Sequence, residues 1–328
     1  MAPDAIAIAS DPSGEYGKFA YVVNRYANCI SMFAIDPATG ALRSTGSIAT
    51  VSIPGSVAVD TLGRFAYVAN NSDVVLYAID ATTGALSSTG TIATGSGGSV
   101  AVDPSSKFAY VASDDIAMYT INGTNNALAS IGTITAGAGL FSLAIAVDPS
   151  GRFVYVARPA DTVGVAIGYV SMYMIDPTSG ALTFTGSIAA GIDPFSVAVD
   201  PSSRFAYVAN FESGDISMYS INGITGALTS IGTLTTTFAP ISLAVHPSGK
   251  FLYAADNTTS NVSIYAIDDL TGVLTSLGTM AAGSSPSSIV IDPSGKFVYV
   301  TNFDSDNVSM YTIDTATGSL TLIGTIGT

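Results

Sequence analysis

The sequence predicts an all-β fold, a seven-bladed β-propeller with four antiparallel strands per blade. Three observations predict it. A Phe-x-Tyr pattern recurs at Phe19-Tyr21, Phe65-Tyr67, Phe108-Tyr110, Phe153-Tyr155, Phe205-Tyr207, Phe251-Tyr253 and Phe297-Tyr299, in steps of 43 to 52 residues. Every copy divides into four short β-rich runs, and two turn signatures return at fixed places within it. The copies fill a chain of 328 residues, so a single domain accounts for all of it. Its blades fall at about 1–50, 51–94, 95–137, 138–190, 191–236, 237–282 and 283–328. A four-stranded unit of this size cannot bury its own apolar faces, and packing it radially against copies of itself closes a ring.

The fifth copy shows the elements in order. Ser196-Val197-Ala198-Val199 is a short apolar run that reads as the inner strand. The turn Asp200 to Ser203 leads into Arg204-Phe205-Ala206-Tyr207-Val208-Ala209-Asn210, whose β-branched and aromatic residues suit a second strand. A polar loop, 211–215, leads to a third strand at Ile216-Ser217-Met218-Tyr219-Ser220-Ile221, and a turn ending in Thr225-Gly226 leads to an outer strand from Leu228 to Leu234. Strands of about six residues and connections of about five reproduce the period. The first turn is Asp-Pro-Ser-Gly at Asp11, Asp148 and Asp292, with variants at Asp60, Asp103, Asp200 and His246. Asp caps it, Pro presets φ and Gly relaxes the last position. The second turn ends in Thr-Gly or Ser-Gly in six copies and in Asn125-Asn126 in the third, where Asn replaces Gly at positive φ. The inner strands carry a small residue at one place, Ala9, Ala58, Ala101, Ala146, Ala198 and Ala244, with Val290 the exception. The repeat tyrosines and the methionines Met32, Met118, Met172, Met218 and Met310 are expected between blades. The chain begins on an inner strand and ends on an outer one, so no strand exchange between the ends is expected.

Composition excludes several classes. Ten Lys and Arg against 24 Asp and Glu give a net charge of −14, which excludes a nucleic-acid partner. No apolar run reaches the roughly 18 residues a membrane span needs. One cysteine, Cys29, excludes an intrachain disulfide framework and a thiolate zinc site. Only 10% of residues are charged, against a usual share of about 25%. Surface polarity resting on Ser, Thr, Asn and Gly reads as a secreted or cell-surface protein whose leader is not in this chain, with a cytoplasmic protein as the alternative. A monomer is expected.

Candidate site residues come from breaks in the repeat. Five positions after each repeat Phe stand Asn24, Asn70, Ser113, Arg158, Asn210, Asp256 and Asn302. The asparagines suit hydrogen bonds to neighbouring backbone at a strand end. Arg158 either pairs with Asp161 or Asp193 or binds a carboxylate or phosphate at the channel mouth. The longest loop, Pro159 to Tyr169, reads as a lid or a contact surface. Acidic residues on the same face include Asp73, Asp114, Asp115, Glu212, Asp215, Asp304 and Asp306. Of these, Asp215, Asp304 and Asp306 are the candidates to hold Ca2+ at the axis, the alternative being a solvated acidic rim. His246, the sole histidine, sits in a turn on the opposite face, away from any triad at the mouth.

Tyr299-Val300-Thr301-Asn302 spells the YVTN motif. With the run from Ser285 to Tyr299, it resembles the YVTN-repeat surface propellers and the lactonase-type propellers. The latter include 6-phosphogluconolactonase of the propeller kind and the carboxymuconate-cyclising enzymes. The resemblance covers all seven repeats, and the Thr-Gly-x-Leu-Thr outer strand leans to the lactonase side. It implies an Arg-His pair entering an inner strand, with further Arg and Glu at the mouth. The matching places here read Gly55-Ser56, Gly98-Ser99, Phe195-Ser196, Ile241-Ser242 and Ser287-Ser288; no Arg-His pair occurs, and Glu212 matches the family acid. The expectation is a binding or scaffold module that takes a small molecule or a protein at the channel mouth, through Arg158, Asp256, Glu212, Asn210, Asn302 and Asp193. The alternative is a lactone hydrolase or cyclase with its site at the same place.

Overall fold

Each blade begins with a short inner strand that runs into a buried acid. Asp200 is 2% exposed. Its Oδ1 accepts the backbone N–H groups of Arg204 and Phe205, both at 2.6 Å, and its Oδ2 accepts the N–H of Ser202 at 3.1 Å and the Ser202 hydroxyl. These charge-assisted bonds offset the cost of burying the carboxylate and fix the turn into the second strand. Asp60, Asp103, Asp148 and Asp292 hold the same place and are buried likewise. At His246 the imidazole does this work: Nδ1 accepts the Ser248 N–H at 3.0 Å, which leaves Nε2–H to donate to the Gly295 carbonyl of the next blade at 2.8 Å.

The structure, a computed structural model, describes residues 3–11, 13, 16–94, 98–135, 144–159, 167–236 and 238–328. Its strands form seven four-stranded antiparallel sheets, each from one continuous stretch of chain. In blade 1 the strands are Pro3–Ser10, Gly17–Asn24, Cys29–Ile35 and Leu42–Ala49, paired in that order. The inner strand of blade 1 contacts those of blade 2 (Pro54–Val59) and blade 7 (Pro286–Ile291), so the sheets close into a ring. No sheet borrows a strand from the other end of the chain, as expected.

The second strand has two buried faces. Phe19, Tyr21 and Val23 pack on blade 2, while Ala20 and Val22 pack on blade 7. All seven repeat tyrosines are fully buried. Six of them reach across the interface: Tyr21, Tyr110, Tyr155, Tyr207, Tyr253 and Tyr299 donate to the carbonyls of Gly84, Gly180, Gly226, Gly272, Gly318 and Gly40, at 2.9 to 3.0 Å. Each accepting glycine sits in the second turn of the next blade at positive φ and lies flat on the repeat Phe. A Cβ on Gly84 would fall 2.4 Å from the Phe19 ring. That contact, with the turn conformation, is why glycine recurs there.

The third blade breaks the rule. Asn126 has φ 62, as expected, and is fully buried. Its side chain fills the space a glycine would leave to the ring, and its amide donates to the Tyr77 carbonyl at 3.5 Å. Phe65 is half-exposed where the other repeat Phe residues are buried, and the Tyr67 hydroxyl is buried without a partner.

The expected loop from Pro159 to Tyr169 is shorter than predicted. Ile167, Gly168 and Tyr169 open the third strand of blade 4, Ile167–Ile175, which pairs with an outer strand extended to Ile192. The added pairing of Ile167 with Ile192 draws these residues into the sheet. The rest of the expected lid, 160–166, lies outside the described residues.

Candidate functional site

The inner strands enter the ring from one face, and there the channel opens as a funnel of about 570 Å3. Its wall is built from the starts of the inner strands and from the loops between second and third strands. Serine is its commonest polar residue, and serines lace the ring together. Ser56 Oγ accepts the Val100 N–H at 3.3 Å, Ser196 Oγ that of Leu243 at 3.1 Å, and Ser242 Oγ that of Ile289 at 3.2 Å. The Ser287 hydroxyl donates to the Pro3 carbonyl at 2.8 Å, across the seam between blades 7 and 1. Serine therefore occupies the positions where the resemblance expects Arg-His, and there it binds neighbouring strands together.

Among the described residues, three ionisable side chains face the funnel: Asp4, Arg25 and Asp114. Asp4 Oδ2 lies 3.7 Å from Arg25 Nε. Burial pushes the Asp4 carboxyl above its ordinary value, and the Arg25 guanidinium opposes the shift. A carboxyl of raised proton affinity beside a half-exposed cation makes an acid–base couple on a wall of mixed polar and apolar side chains. Asn70 and Asn71 supply side-chain amides to the same wall.

The residues expected from the repeat breaks are not gathered here. Among the described residues lining the funnel, none of Arg158, Asp256, Glu212, Asn210, Asn302 and Asp193 appears. Four of them stand at the ends of second strands, bonded to the third strand of their own blade. Asn210 Nδ2 donates to Ser217 Oγ at 2.9 Å and to Asp215 Oδ1 at 2.6 Å. Asn302 Nδ2 donates to Ser309 Oγ at 2.9 Å and to Asn307 Oδ1 at 2.8 Å, while its Oδ1 accepts the Gly283 N–H at 3.1 Å. Arg158 Nε donates to Ser171 Oγ at 3.1 Å, and its guanidinium lies over the Tyr169 ring, 5.6 Å from the centroid. The backbone partners expected of the asparagines are secondary, as in the 3.4 Å contact from Asn24 Nδ2 to the Val22 carbonyl. A serine on the third strand is nearer, and in blade 1 it is Ser31 at 2.9 Å.

Asp256 is the odd member. It is fully buried, Ser263 Oγ donates to its Oδ2 at 2.5 Å, and its Oδ1 has no partner. Burial pushes its carboxyl up to about 6, which the Ser263 bond partly opposes. Asp193 and Glu212 sit together at the start of blade 5, where burial first and then the Glu212 charge raise the Asp193 carboxyl. No ion pair joins Arg158 to Asp193 among the described residues, and Asp161 lies outside them.

The calcium expectation finds no constellation. Asp215 is held by Asn210 in blade 5, whereas Asp304 Oδ2 accepts the Ser285 hydroxyl at 2.5 Å in blade 7 and Asp306 is exposed there. Among the described residues no three His, Cys, Asp or Glu side chains converge as a metal would need.

The sequence pattern of the family described as Lactonase, 7-bladed beta-propeller, matches residues 4–102 and 233–326. The chain belongs to this lactonase propeller family. The two matched segments are distant in sequence but adjacent in the ring, because blade 7 packs on blade 1. The lactonase pattern therefore covers a continuous sector that holds Asp4 and Arg25, and it leaves out 103–232, where Arg158, Asp193 and Glu212 lie. No curated protein matches the sequence. Crystal structures of lactonase-like propellers share the fold. A candidate 6-phosphogluconolactonase from Bacteroides fragilis NCTC 9343 is 23% identical over 98% of this chain and 94% of its own, with a TM-score of 0.79. One from Bacteroides uniformis ATCC 8492 is 20% identical over 100% and 97%, with a TM-score of 0.80. The periplasmic gluconolactonase of Pseudomonas aeruginosa is 16% identical over 98% and 95%, with a TM-score of 0.76.

Asp4 and Arg25 escape the repeat-based reading. Asp4 stands in register with Gly55, Gly98, Phe195, Ile241 and Ser287, but Ala5 follows it where serine follows each of the others. The Pro before it, shared by Pro3, Pro54, Pro194, Pro240 and Pro286, is the signal that aligns the first copy.

Proposed function

We propose that this lactonase-family propeller is a small-molecule binding module whose funnel takes a neutral, polyhydroxylated ligand of sugar-lactone size. The observation that carries the reading is the funnel wall: hydroxyls and amides interleaved with apolar side chains, with Asp4, Arg25 and Asp114 as the ionisable groups among the described residues that line it. Two acids against one base, on a molecule of net charge −14, repel anions and disfavour a phosphorylated ligand. A cavity of about 570 Å3 is within the range of small-ligand sites. An extracellular setting is part of the proposal, supported by a surface whose polarity rests on hydroxyl and amide side chains. Calorimetric titration with D-glucono-1,5-lactone, D-galactono-1,4-lactone and 6-phosphogluconolactone tests it. The expected result is saturable binding of the first two and none of the third. Equal or tighter binding of the phosphate ester overturns the reading.

A second reading, lactone hydrolysis, is favoured by the Asp4–Arg25 couple. Asp4 would take a proton from water as the water oxygen bonds to the lactone carbonyl carbon, while Arg25 stabilises the developing oxyanion. The ring C–O bond then breaks, the ring oxygen takes a proton, and a hydroxy acid leaves. Acid release from D-glucono-1,5-lactone above the spontaneous rate, lost in Asp4→Asn, would establish this reading; binding without turnover leaves the first.

A further inference from the structure

One structurally equivalent position, the residue after the inner-strand proline or its counterpart, lines the funnel in six blades and differs in nearly every one of them; that of blade 4 lies outside the described residues. It reads Asp4 in blade 1, Gly55 in blade 2, Gly98 in blade 3, Phe195 in blade 5, Ile241 in blade 6 and Ser287 in blade 7. The ring order sets these into sectors: blades 7 and 1 are polar, blades 2 and 3 carry no side chain, and blades 5 and 6, facing blade 2 across the axis, are apolar. Phe195 is 37% exposed, and its ring is braced edge-to-face by Phe211, with centroids 5.4 Å apart.

The two glycines are there for different reasons. A Cβ on Gly98 would fall 1.8 Å from the Ala112 carbonyl oxygen, so the fold requires glycine at that place. Gly55 meets no such demand. Its φ is not in the left-handed region, and the nearest atom to its Cβ would be Asp4 Oδ2, at 4.0 Å. What the missing side chain does is leave open the space directly in front of the Asp4 carboxylate.

We propose that Gly55 and Phe195 are the specificity-determining residues of the funnel. Gly55 opens a seat against the Asp4–Arg25 couple, and Phe195 with Ile241 forms an opposing apolar wall that takes the C–H face of a cyclic, neutral polyol or its lactone. The ligand is thereby oriented with its carbonyl or hydroxyl edge toward Asp4 and Arg25. This rests on the reading of the funnel as a small-molecule site and names the residues that orient the ligand there.

The test titrates the unaltered protein, Gly55→Leu, Gly55→Ala, Phe195→Ala and Phe195→Leu with D-galactono-1,4-lactone and D-glucono-1,5-lactone, alongside thermal melts of the free proteins. Gly55→Leu lowers affinity at least about tenfold and Phe195→Ala about tenfold, the range of apolar pocket contacts. Gly55→Ala and Phe195→Leu lose less, and all four melt close to the unaltered protein because neither position is packed into the core. Unchanged affinity in both Gly55→Leu and Phe195→Ala, with the unaltered protein binding, overturns this inference and leaves the binding reading in place. Absence of binding by the unaltered protein overturns both. Should Gly55→Leu fail to fold, the Phe195 pair decides the matter alone.

Discussion

At Asp256 a carboxylate stands where four other blades have an asparagine. In three of those blades the asparagine amide donates to a third-strand serine, but here the serine donates to the acid and the second carboxylate oxygen is left alone. The cost falls on the charged form, which is why burial lifts the carboxyl from 3.8 to about 6. The folded state then holds its proton more tightly than the unfolded chain. Stability is full below about pH 4, declines as the unfolded carboxyl ionises first, and reaches its lower level once pH passes about 6. At roughly 1.4 kcal/mol per pKa unit the loss is on the order of 3 kcal/mol. Urea denaturation of Asp256→Asn at pH 4 and pH 7.5 is expected to flatten this dependence and to raise stability at pH 7.5; an unchanged pH profile refutes the assignment. The exchange of Asn for Asp is legible from the Phe spacing alone. Its consequence is not, because the missing partner is a matter of burial and of a serine on the next strand.

The element that decides blade-to-blade packing is the second turn. Tyr, Phe and Gly form one unit across six of the seven interfaces: the ring lies under the glycine and the hydroxyl meets its carbonyl. Asn126 satisfies the backbone requirement for positive φ, and that much is readable from the sequence, yet it fails the packing requirement, which appears only when the neighbouring blade is in place. The Tyr67 hydroxyl thus contributes nothing that Phe would not. Tyr67→Phe is expected to be neutral or slightly stabilising, whereas Tyr207→Phe costs about 1 to 2 kcal/mol by leaving the Gly272 carbonyl unmet. Asn126→Gly is expected to gain about 1 kcal/mol in the background of Tyr67 and nothing in Tyr67→Phe. Denaturant midpoints of the single and double variants measure this, and equal losses for Tyr67→Phe and Tyr207→Phe would contradict it.

For the molecule as a whole, the repeat count, the four-strand blade and the continuous course of each blade are all legible in the sequence, because each rests on a local period and local turn chemistry. The funnel is legible only in part. Serine at the inner-strand entrance is plain in the sequence, but its bonds to the neighbouring strand come from ring geometry. The acid–base couple joins Asp4, on an inner strand, to Arg25, in a loop, and a search for repeat breaks at one position passes over both. The seam between blades 7 and 1 has the Tyr–Gly and N–H to Met links of the other interfaces, Tyr299 to Gly40 at 2.9 Å and Leu42 N–H to Met310 Sδ at 3.1 Å, and adds one of its own, Ser287 to the Pro3 carbonyl at 2.8 Å. Tyr299→Phe is therefore expected to cost what Tyr207→Phe costs, about 1 to 2 kcal/mol. A much larger loss at Tyr299 in the same denaturation series would mark the seam as a weak point.

Because every sheet is spun from one uninterrupted length of backbone, the circle has no privileged origin. Any of the linkers between sheets could serve as the two chain ends, and the present ends could be tied, without re-pairing a single strand. Interblade contacts and turns repeat from sector to sector, so the variation of side chains around the funnel falls where the ring does not need them to match.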